Sequence, residues 1–371
     1  MAAPPTGAKA QERELLDAAR GGDEEAFRRL VEPYRAELHA HCYRMLGSLH
    51  DAEDALQEAL LRAWRGLTRF EGRSALRSWL YTIATNTSLN LIERRPKRVL
   101  PIDYGPSTDP HDGLGLPPAE SVWMEAYPDE TVGLDDGFAA PDARYELRES
   151  VELAFVAALQ HLPPNQRAVL ILREVLGFSA REVAESLGAT VASVNSALQR
   201  ARQTVDERLP EQSQQATLRA LGDERLREVV EGYMDAMQRG DVDAVVSMLA
   251  EDAAWSMPPL PAWFVGHDAL RGFLVRGPLS GDWRWRHLPA RANGQAAIGS
   301  YCWYAEDGAC HPFALDVLTL DGSRIKAITS FITRPTLSSD HHFYERWPEQ
   351  PFDDSEVGAA FARFGLPERL D

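Results

Sequence analysis

Side chains suited to binding an unstacked nucleic-acid strand cluster between residues 70 and 95. The cluster combines an aromatic ring and two amides with hydroxyl and guanidinium groups. Rings stack on unpaired bases, amides recognise base edges, and guanidinium groups pair with phosphates. The residues are Phe70, Arg73, Ser74, Asn86, Asn90, Arg94 and Arg95. The alternative interpretation is an amphipathic helix with a solvated basic end.

The helix predicted just before this cluster has a polar face of its own. In DAEDALQEALLRAWRGL, apolar residues recur at three- and four-residue spacing, and Asp51 is predicted to be the N-cap. Asp54, Gln57 and Glu58 fall on one face of this helix. The pattern over residues 12–98 predicts an all-α domain.

A second polar set lies on a predicted helix-turn-helix within residues 142–209. Ser179 followed three residues later by Glu182 predicts a capping box, and Thr190 is predicted to begin the second helix. The outward-facing side chains of that helix suit a DNA major groove. They are Asn195, Ser196, Gln199, Arg200 and Arg202. Helix-turn-helix patterns also arise by chance. The presence of the first cluster in the same chain supports the DNA-binding interpretation of this one.

The amino-acid composition changes between these two helical parts. Residues 99–141 are rich in Pro, Gly and acids, which predicts an acidic linker, although Trp123, Met124 and Tyr127 are too apolar for a simple spacer.

The C-terminal third has a third helical stretch followed by strands. From Ala253 onward, short alternating runs appear, and Asp321-Gly322 between two of them predicts a hairpin. Helices followed by strands predict a separate α+β domain over residues 223–334. The remainder, 335–371, is predicted to be an extended tail.

Charge and composition narrow the function classes. The net charge is −17 over 371 residues, whereas a protein that binds DNA unaided usually has a basic face. This negative net charge is compatible with a factor that contacts DNA only when it is bound to a larger, basic protein complex. The three cysteines lack metal-ligand spacing, so neither a disulfide framework nor a metal is expected, and no cofactor is predicted. With no apolar span and no signal-peptide pattern, we expect a cytoplasmic protein without membrane contact.

The segment DAEDALQEALLRAWRGLTRFEGRSALRSWLYTIATNTSLNLIERR resembles region 2 of the extracytoplasmic-function (ECF) sigma factors of RNA polymerase. The resemblance implies that Asp54, Gln57 and Glu58 dock on a coiled coil of the polymerase β′ subunit. It also implies that the loop around Phe70 holds a base flipped out of the −10 promoter element and that Asn86 reads −10 bases.

The helix-turn-helix segment resembles region 4 of the same family, which binds the −35 element. One departure concerns Asn195, because relatives often have Arg there. An amide favours adenine over guanine, so the −35 sequence is left open. The linker resembles the family's acidic segment, which threads toward the polymerase active-site and RNA-exit channels. The implied partners are RNA polymerase core, through its β′ and β subunits, and promoter DNA.

Residues 223–334 resemble a SnoaL-like domain, a cone-shaped α+β fold with a curved antiparallel sheet around a pocket. Some relatives are isomerases or cyclases, and others bind ligands or pack against partners. The candidate pocket residues are Trp263, His267, Trp285, Tyr301, Trp303 and Asp316. The plainer interpretation is that His267 opens a helix and that the aromatic residues form core. We expect regulation, by a small molecule or a protein, rather than catalysis.

The sequence therefore predicts a multidomain chain with two all-α sigma domains, the second a helix-turn-helix, and a C-terminal SnoaL-like α+β domain. We expect an alternative sigma factor modulated in cis by its C-terminal domain. Two alternatives remain at this point. One is a stand-alone helix-turn-helix regulator with a ligand-sensing domain, and the other is a sigma factor fused to an active isomerase.

Overall fold

A computed structural model describes most of the chain, and contacts divide it into two compact units. The described residues are 6–70, 72, 75–115, 122–132, 148–305, 307–333 and 354–371. Within them, the first unit contains residues up to 95 with 131–132 and 159–207, and the second contains 96–130, 148–158 and 208–371. The two predicted helical domains thus contribute to one unit, and most of the described linker belongs to the other.

The described residues form helices in both units. They are α1 (Thr6–Arg20), α2 (Glu24–Leu46), α3 (Leu49–Gly66), α4 (Leu76–Ile92), α5 (Pro101–Tyr104), α6 (Leu153–Gln160), α7 (Pro164–Leu170), α8 (Ala180–Ser186), α9 (Val191–Asp206), α10 (Gln214–Leu221), α11 (Asp223–Arg239), α12 (Val242–Met248), α13 (His267–Arg276) and α14 (Asp354–Ala362). A π-helical turn, Ile171–Val175, follows α7 directly.

The start of α3 differs from the prediction. Ser48, in an extended conformation, is the N-cap, and its hydroxyl accepts from the Asp51 N–H at 3.1 Å. Asp51 lies in the first helical turn, so the prediction that it caps the helix was wrong. Its carboxylate still lies where the positive end of the helix dipole favours an acid.

In the first unit, α4 packs against the helix-turn-helix. The Arg77 guanidinium lies 4.9 Å from the Tyr81 ring centroid and 5.0 Å from that of Phe178. The rings of Tyr81 and Phe178 meet edge to face at 5.4 Å. Arg167, which is 4% exposed, donates to the carbonyls of Gln160 and of Met45 at the end of α2. Buried aromatic and guanidinium contacts thus join the two helical parts.

The second unit is built on a six-stranded sheet in the order β2-β1-β6-β5-β4-β3. The strands are β1 (Leu249–Ser256), β2 (Trp263–Val265), β3 (Trp285–Ala292), β4 (Gln295–Tyr304), β5 (Ala309–Asp321) and β6 (Arg324–Ile332). β1 and β6 are parallel and the other pairs antiparallel. The predicted hairpin is confirmed, because Asp321 pairs with Arg324 across a two-residue loop in which Gly322 has φ of 55°.

Helices α11, α12 and α13 supply one side of the core of this unit. Tyr233 of α11 and Leu270 of α13 are fully buried, as is Ile298 of β4. Phe264 of β2 stacks on Phe273 of α13 at 4.7 Å. Helices and a sheet in one core make the C-terminal part an α+β fold, as predicted.

The described residues 96–115 and 122–130, here called the inter-region segment, pack within the second unit. The Thr108 N–H donates to the Trp263 carbonyl at 2.8 Å, and the Trp263 indole N–H donates to the Gly105 carbonyl at 2.9 Å. Trp123 is 4% exposed. Apolar side chains in a predicted linker are thus explained by contact with a folded surface.

The second half of the segment is held by the turn between β3 and β4. The Asn293 side chain accepts from the Tyr127 N–H at 2.9 Å, and the Asn293 N–H donates to the Tyr127 carbonyl at 2.8 Å. The Gly294 N–H donates to Asp129 Oδ1 at 2.7 Å. Tyr127 is fully buried.

The end of the chain corrects the prediction of an extended tail. Within residues 354–371, the helix α14 is followed by a stretch that packs on the sheet. The Tyr301 hydroxyl donates to the Pro367 carbonyl at 2.8 Å, and Phe361 packs on the Tyr301 ring at 5.1 Å. Cys310 and Leu370 form an isolated β-bridge. Phe361 and Leu366 bury apolar surface, which the sequence had suggested would be solvated.

Candidate functional site

The acidic face of α3 is accessible. The side chains of Asp54 and Glu58 are 43% and 44% exposed, and Gln57 is exposed. Glu58 pairs with Arg62 at 2.7 Å within the helix. Ala55 and Ala59 on the other side are buried, so burial orients the helix and leaves the predicted docking residues outward.

Of the predicted −10 residues on and after α4, three are exposed and one contacts acids of α3. Asn86 and Asn90 are exposed one turn apart, and Arg94 is exposed. Arg95 instead contacts Asp51 and lies 3.3 Å from Asp54 on α3. Arg95 therefore orients the acidic face of α3, and these acids partly neutralise its charge.

Phe70 occupies an inward position. Its side chain is 7% exposed and packs on Trp79 at a ring-centroid distance of 4.8 Å. Arg20 of α1 contacts both the ring and the backbone carbonyl of Phe70. Phe70 thus shapes the end of the loop without offering a free stacking face. Arg73 and Ser74 lie outside the described residues.

A surface cleft of about 340 Å³ lies beside Phe70, between the end of α3 and α4. Its walls are Arg62, Gly66, Arg69, Trp79, Ile83 and Asn86. The i, i+4, i+7 spacing of Trp79, Ile83 and Asn86 places all three on one helix face. Arg62 and Arg69 were not predicted, because nothing in the local pattern relates them to Asn86. An aromatic ring, an amide and two cations around one cleft match the needs of an unpaired nucleotide.

The helix-turn-helix has the predicted local structure. The capping box is confirmed, since Ser179 Oγ accepts from the Glu182 N–H at 3.2 Å and Glu182 accepts from the Ser179 N–H at 2.8 Å. The Thr190 hydroxyl caps α9 by accepting from the Ser193 N–H at 3.1 Å.

The outer face of α9 carries all five predicted −35 side chains in exposed positions. Val194, Leu198 and Ala201 on the inner face are buried. A groove beside the helix is lined by Asn195, Gln199 and Arg202, and also by Arg173, which the sequence analysis missed. Arg202 pairs with Glu174 at 2.8 Å. Asn195 and Gln199 therefore present exposed amides in this groove.

The second unit contains a partly open cavity of about 90 Å³ against the sheet. Its wall is formed by Leu114, Met237, Trp255, Met257, Phe273, Gly277, Pro278, Trp283, Trp285, His287, Ser300, Phe313, Ala314, Asp316, Ser330 and Ile332. Trp285 and Asp316 had been predicted to line a pocket.

The other four predicted pocket residues lie elsewhere. Trp263 contacts the inter-region segment, and His267 begins α13 with its ring 3.3 Å from the Leu249 carbonyl. Tyr301 faces the C-terminal stretch, and Trp303 is not part of the cavity wall. Successive strand residues point to opposite faces, so the register decided which aromatic residues reach the cavity.

Asp316 lies at the polar end of the cavity. It is 3% exposed, and its carboxylate accepts from the Ser300 hydroxyl at 2.8 Å and also from Ser330. Burial raises the pKa of Asp316 to about 6, and the two hydroxyl hydrogen bonds offset part of that effect. Ser330 in turn accepts from the Trp255 indole N–H at 2.8 Å.

His287 of β3, which lies opposite Ser300 of β4, was missed by the sequence analysis. It is 6% exposed, and neither ring nitrogen has a hydrogen-bond partner among the described residues. Burial lowers the pKa of His287 to about 4, so the ring is neutral at pH 7. Its alternation with Trp285 along β3 was the signal that both face the same side.

Among the described residues, no group of three His, Cys, Asp or Glu side chains is arranged to hold a metal ion. In the same part of the chain, no helix is long and apolar enough to cross a membrane.

Three family models match the chain. The family models for Sigma-70 region 2, Sigma-70 region 4 and a SnoaL-like domain match residues 30–98, 152–205 and 230–328. The ECF RNA polymerase sigma factor SigG of Mycobacterium tuberculosis is 42% identical over 323 residues, which cover 86% of this chain and 84% of the relative. The chain belongs to the ECF RNA polymerase sigma factors.

This sigma factor is longer than some of its relatives. The RNA polymerase sigma-H factor of Pseudomonas aeruginosa is 31% identical over 54% of this chain but 94% of its own length. The crystal structure of the extracytoplasmic function sigma factor SigJ of Mycobacterium tuberculosis aligns with a TM-score of 0.50 and 24% identity, covering 80% of this chain and 93% of that one. The shared fold includes the C-terminal extension. The protein is an alternative sigma factor that binds RNA polymerase core and promoter DNA.

Proposed function

We propose that the acidic face of α3 docks on the β′ subunit of RNA polymerase core through Asp54, Gln57 and Glu58. The observation that supports this is the exposure of both carboxylates on a helix whose apolar face is buried. Charged side chains at such a surface contribute to orientation and association rate. Arg95, beside Asp54, is a positioning residue for this face.

The cleft between α3 and α4 captures an unpaired base of the −10 element. Trp79 supplies an aromatic wall, Asn86 supplies the amide that reads the base edge, and Arg62 and Arg69 lie near the phosphates. Phe70 supports Trp79 from behind. Capture of an extruded base offsets the free energy needed to open the duplex.

The exposed face of α9 reads the −35 element in the major groove. Asn195 and Gln199 are the base-reading candidates, and Ser196, Arg200 and Arg202 contact the backbone or neighbouring bases. The β subunit is the second core subunit that the family resemblance implies as a partner.

The C-terminal domain regulates these sites in cis and does not catalyse a reaction. Its packing with the inter-region segment supports this role, because that segment joins the −10-binding and −35-binding helices in sequence. In the polymerase complex, the same segment threads toward the active-site and RNA-exit channels. Regulation then depends on whether the inter-region segment docks on the C-terminal domain or enters the polymerase. We place this activity in the cytoplasm.

Core binding and promoter opening should separate by mutation. Asn86→Ala should leave core affinity unchanged and reduce open-complex formation by about tenfold or more, because it removes a base-edge contact. Asp54→Ala with Glu58→Ala should weaken core binding itself. Core affinity is measured by pull-down, and opening by permanganate footprinting and run-off transcription.

The matched control for the acidic pair is Glu24→Ala with Glu25→Ala, which removes two exposed acids at the start of α2. This control should behave like the wild type in both assays. Equal loss of core affinity in the Asn86 variant and the acidic-pair variant contradicts the proposed division of roles.

A further inference from the structure

We propose that Arg20, in the last turn of α1, is a positioning residue for the cleft between α3 and α4. It fixes Phe70, and Phe70 in turn fixes Trp79, the aromatic wall on which an unpaired base stacks. This role rests on the base capture proposed above for the same cleft. The family model for Sigma-70 region 2 begins at residue 30, so α1 lies before the part of the chain that it matches.

Arg20 holds both the backbone and the ring of Phe70. Its guanidinium donates to the Phe70 carbonyl, and the guanidinium carbon lies 6.0 Å from the ring centroid. A planar guanidinium has several N–H donors and is attracted to an aromatic face, so one group makes both contacts. Asp17, one helical turn earlier, lies 3.5 Å from Arg20 and is placed to orient it. Phe70 is thus restrained by a residue far away in the sequence.

The restraint passes from Phe70 to the cleft. The Phe70 ring centroid lies 4.8 Å from that of Trp79, with 32° between the ring planes. Trp79 lines the cleft together with Ile83 and Asn86. Ordering a loose side chain during binding costs free energy, so a ring whose orientation is already fixed binds a base more tightly. Fixing Trp79 before DNA is bound therefore strengthens base capture.

The packing of α1 fixes the position of Arg20 itself. Its neighbour Ala19 is buried in an apolar cluster that also contains Leu67 and has Trp79 packed against it. Leu67 begins a short 3₁₀ turn that ends at Arg69, a wall of the cleft. The Arg20 side chain is 32% exposed, so replacing it removes little buried surface. α1 thus contacts the turn and the ring that shape the cleft.

A direct contact with a DNA phosphate is the alternative role for Arg20. Its guanidinium already donates to the Phe70 carbonyl, and Asp17 neutralises part of its charge. Among the described residues, Arg62 and Arg69 line the cleft, whereas Arg20 does not. We therefore assign the phosphate contacts to Arg62 and Arg69 and the positioning role to Arg20.

The test measures the coupling between Arg20 and the captured base. Holoenzyme made from core polymerase and full-length protein is bound to a promoter fragment with an unpaired −10 strand, and to fragments that each lack one −10 base. The captured position is the one whose missing base weakens wild-type binding most. Arg20→Leu should weaken binding to the intact fragment by about tenfold, the effect of one lost charge-assisted hydrogen bond. On the fragment without the captured base, the loss should be less than about twofold, because the cleft then holds no base.

Two further variants separate positioning from charge and folding. Arg20→Lys keeps a cation that donates to the Phe70 carbonyl, and it should restore most of the binding. Arg13→Leu makes the same replacement at an exposed position of α1 and should bind like the wild type. In Arg20→Leu, core affinity and the salt dependence of DNA binding should be unchanged, because no phosphate contact is lost.

Equal weakening by Arg20→Leu on the intact fragment and on the fragment without the captured base overturns the positioning role, as does wild-type affinity for both. A shallower salt dependence would assign Arg20 to a phosphate, and a loss of core affinity would show a general effect on folding; either result overturns it too. If no missing base weakens wild-type binding, base capture by the cleft is refuted, and the role of Arg20 with it. A base effect in the wild type without coupling to Arg20 overturns the positioning role alone.

Discussion

We expect promoter preference to depend on one side chain, that of Asn195. It is exposed on α9, beside the groove that Gln199, Arg202 and Arg173 line. An amide pairs with adenine through two hydrogen bonds, whereas a guanidinium pairs with guanine. An Arg at this position is thus expected to favour a different −35 base than Asn195 does.

Asn195→Arg should shift the preferred base at one −35 position toward guanine, by about 1–3 kcal/mol if the contact is bidentate. Selection of transcribed templates from a promoter library randomised at −35 measures the preference. The control is Gln203→Arg, an added charge one groove position away that should raise affinity for all sequences alike. An unchanged preference in the Asn195 variant would mean that this residue does not face the groove.

Asp316 provides a second prediction at the scale of one residue. Its folded-state pKa of about 6 lies above the ordinary value of 3.8. The folded protein therefore holds this proton to higher pH than the unfolded chain. Below about pH 4, this carboxyl is protonated in both states and does not change the free energy of unfolding. As pH rises from 4 to 6, its ionisation lowers the free energy of unfolding. Above that range the loss is complete, at roughly 3 kcal/mol.

Asp316→Asn should accordingly become more stable relative to the wild type as pH rises from 4 to 7. The groups that face Asp316 are Ser300, Ser330, Tyr233 and, across the cavity, neutral His287. Thermal unfolding followed by near-UV circular dichroism measures the difference. Asp321→Asn, at the exposed end of the same strand, should show no such trend. The opposite slope for the Asp316 variant contradicts the assignment.

At the scale of elements, the turn between β3 and β4 decides where part of the inter-region segment lies. Asn293 has φ of 55°, a region in which Asn is tolerated better than most residues. Its side chain joins the Tyr127 N–H to the Val151 carbonyl, each at 2.9 Å. One residue thus holds two parts of the chain that are distant in sequence.

Asn293→Gly keeps the backbone conformation but removes both side-chain hydrogen bonds, and it should speed exchange of the amides in 122–130. The expected destabilisation is about 1–3 kcal/mol. Under the proposed cis regulation, transcript yield at equal protein concentration also changes. Gly322→Asn, in the exposed β5–β6 turn at φ of 55°, is the control. Unchanged exchange would show that Asn293 does not determine the placement of the segment.

At the scale of the whole molecule, the net charge of −17 limits what the free sigma factor does with DNA. Of the cations at the two candidate DNA surfaces, Arg62, Arg95 and Arg202 are already paired with acids. Non-specific DNA affinity grows with the number of phosphates neutralised. We therefore expect core polymerase to supply most of that electrostatic affinity.

The free protein should bind a promoter duplex weakly, with a shallow dependence on salt. Addition of core should bring tight, sequence-specific binding with a steep salt dependence, measured by fluorescence anisotropy from about 50 to 200 mM salt. A duplex with altered −10 and −35 elements is the control. Tight, specific binding by the free protein would instead favour a stand-alone helix-turn-helix regulator.

The sequence by itself determined the features set by local pattern. The capping box at Ser179 and Glu182, the outward face of α9 and the hairpin at Asp321-Gly322 depend on residues close together in the chain. Each has a recognisable signature because the physical contacts are made within a few residues. The family resemblance rests on the same local patterns.

Only the tertiary structure decided what residues distant in sequence do to one another. Phe70 was predicted beside a captured base, but packing on Trp79 buries its ring and moves the open surface to a cleft with Arg62 and Arg69. The predicted linker became part of the second unit because Asn293, far along the chain, hydrogen-bonds to Tyr127. Strand register turned Tyr301 to the C-terminal stretch and placed His287 in the cavity. Register and burial arise from contacts between distant residues, which a local pattern does not encode.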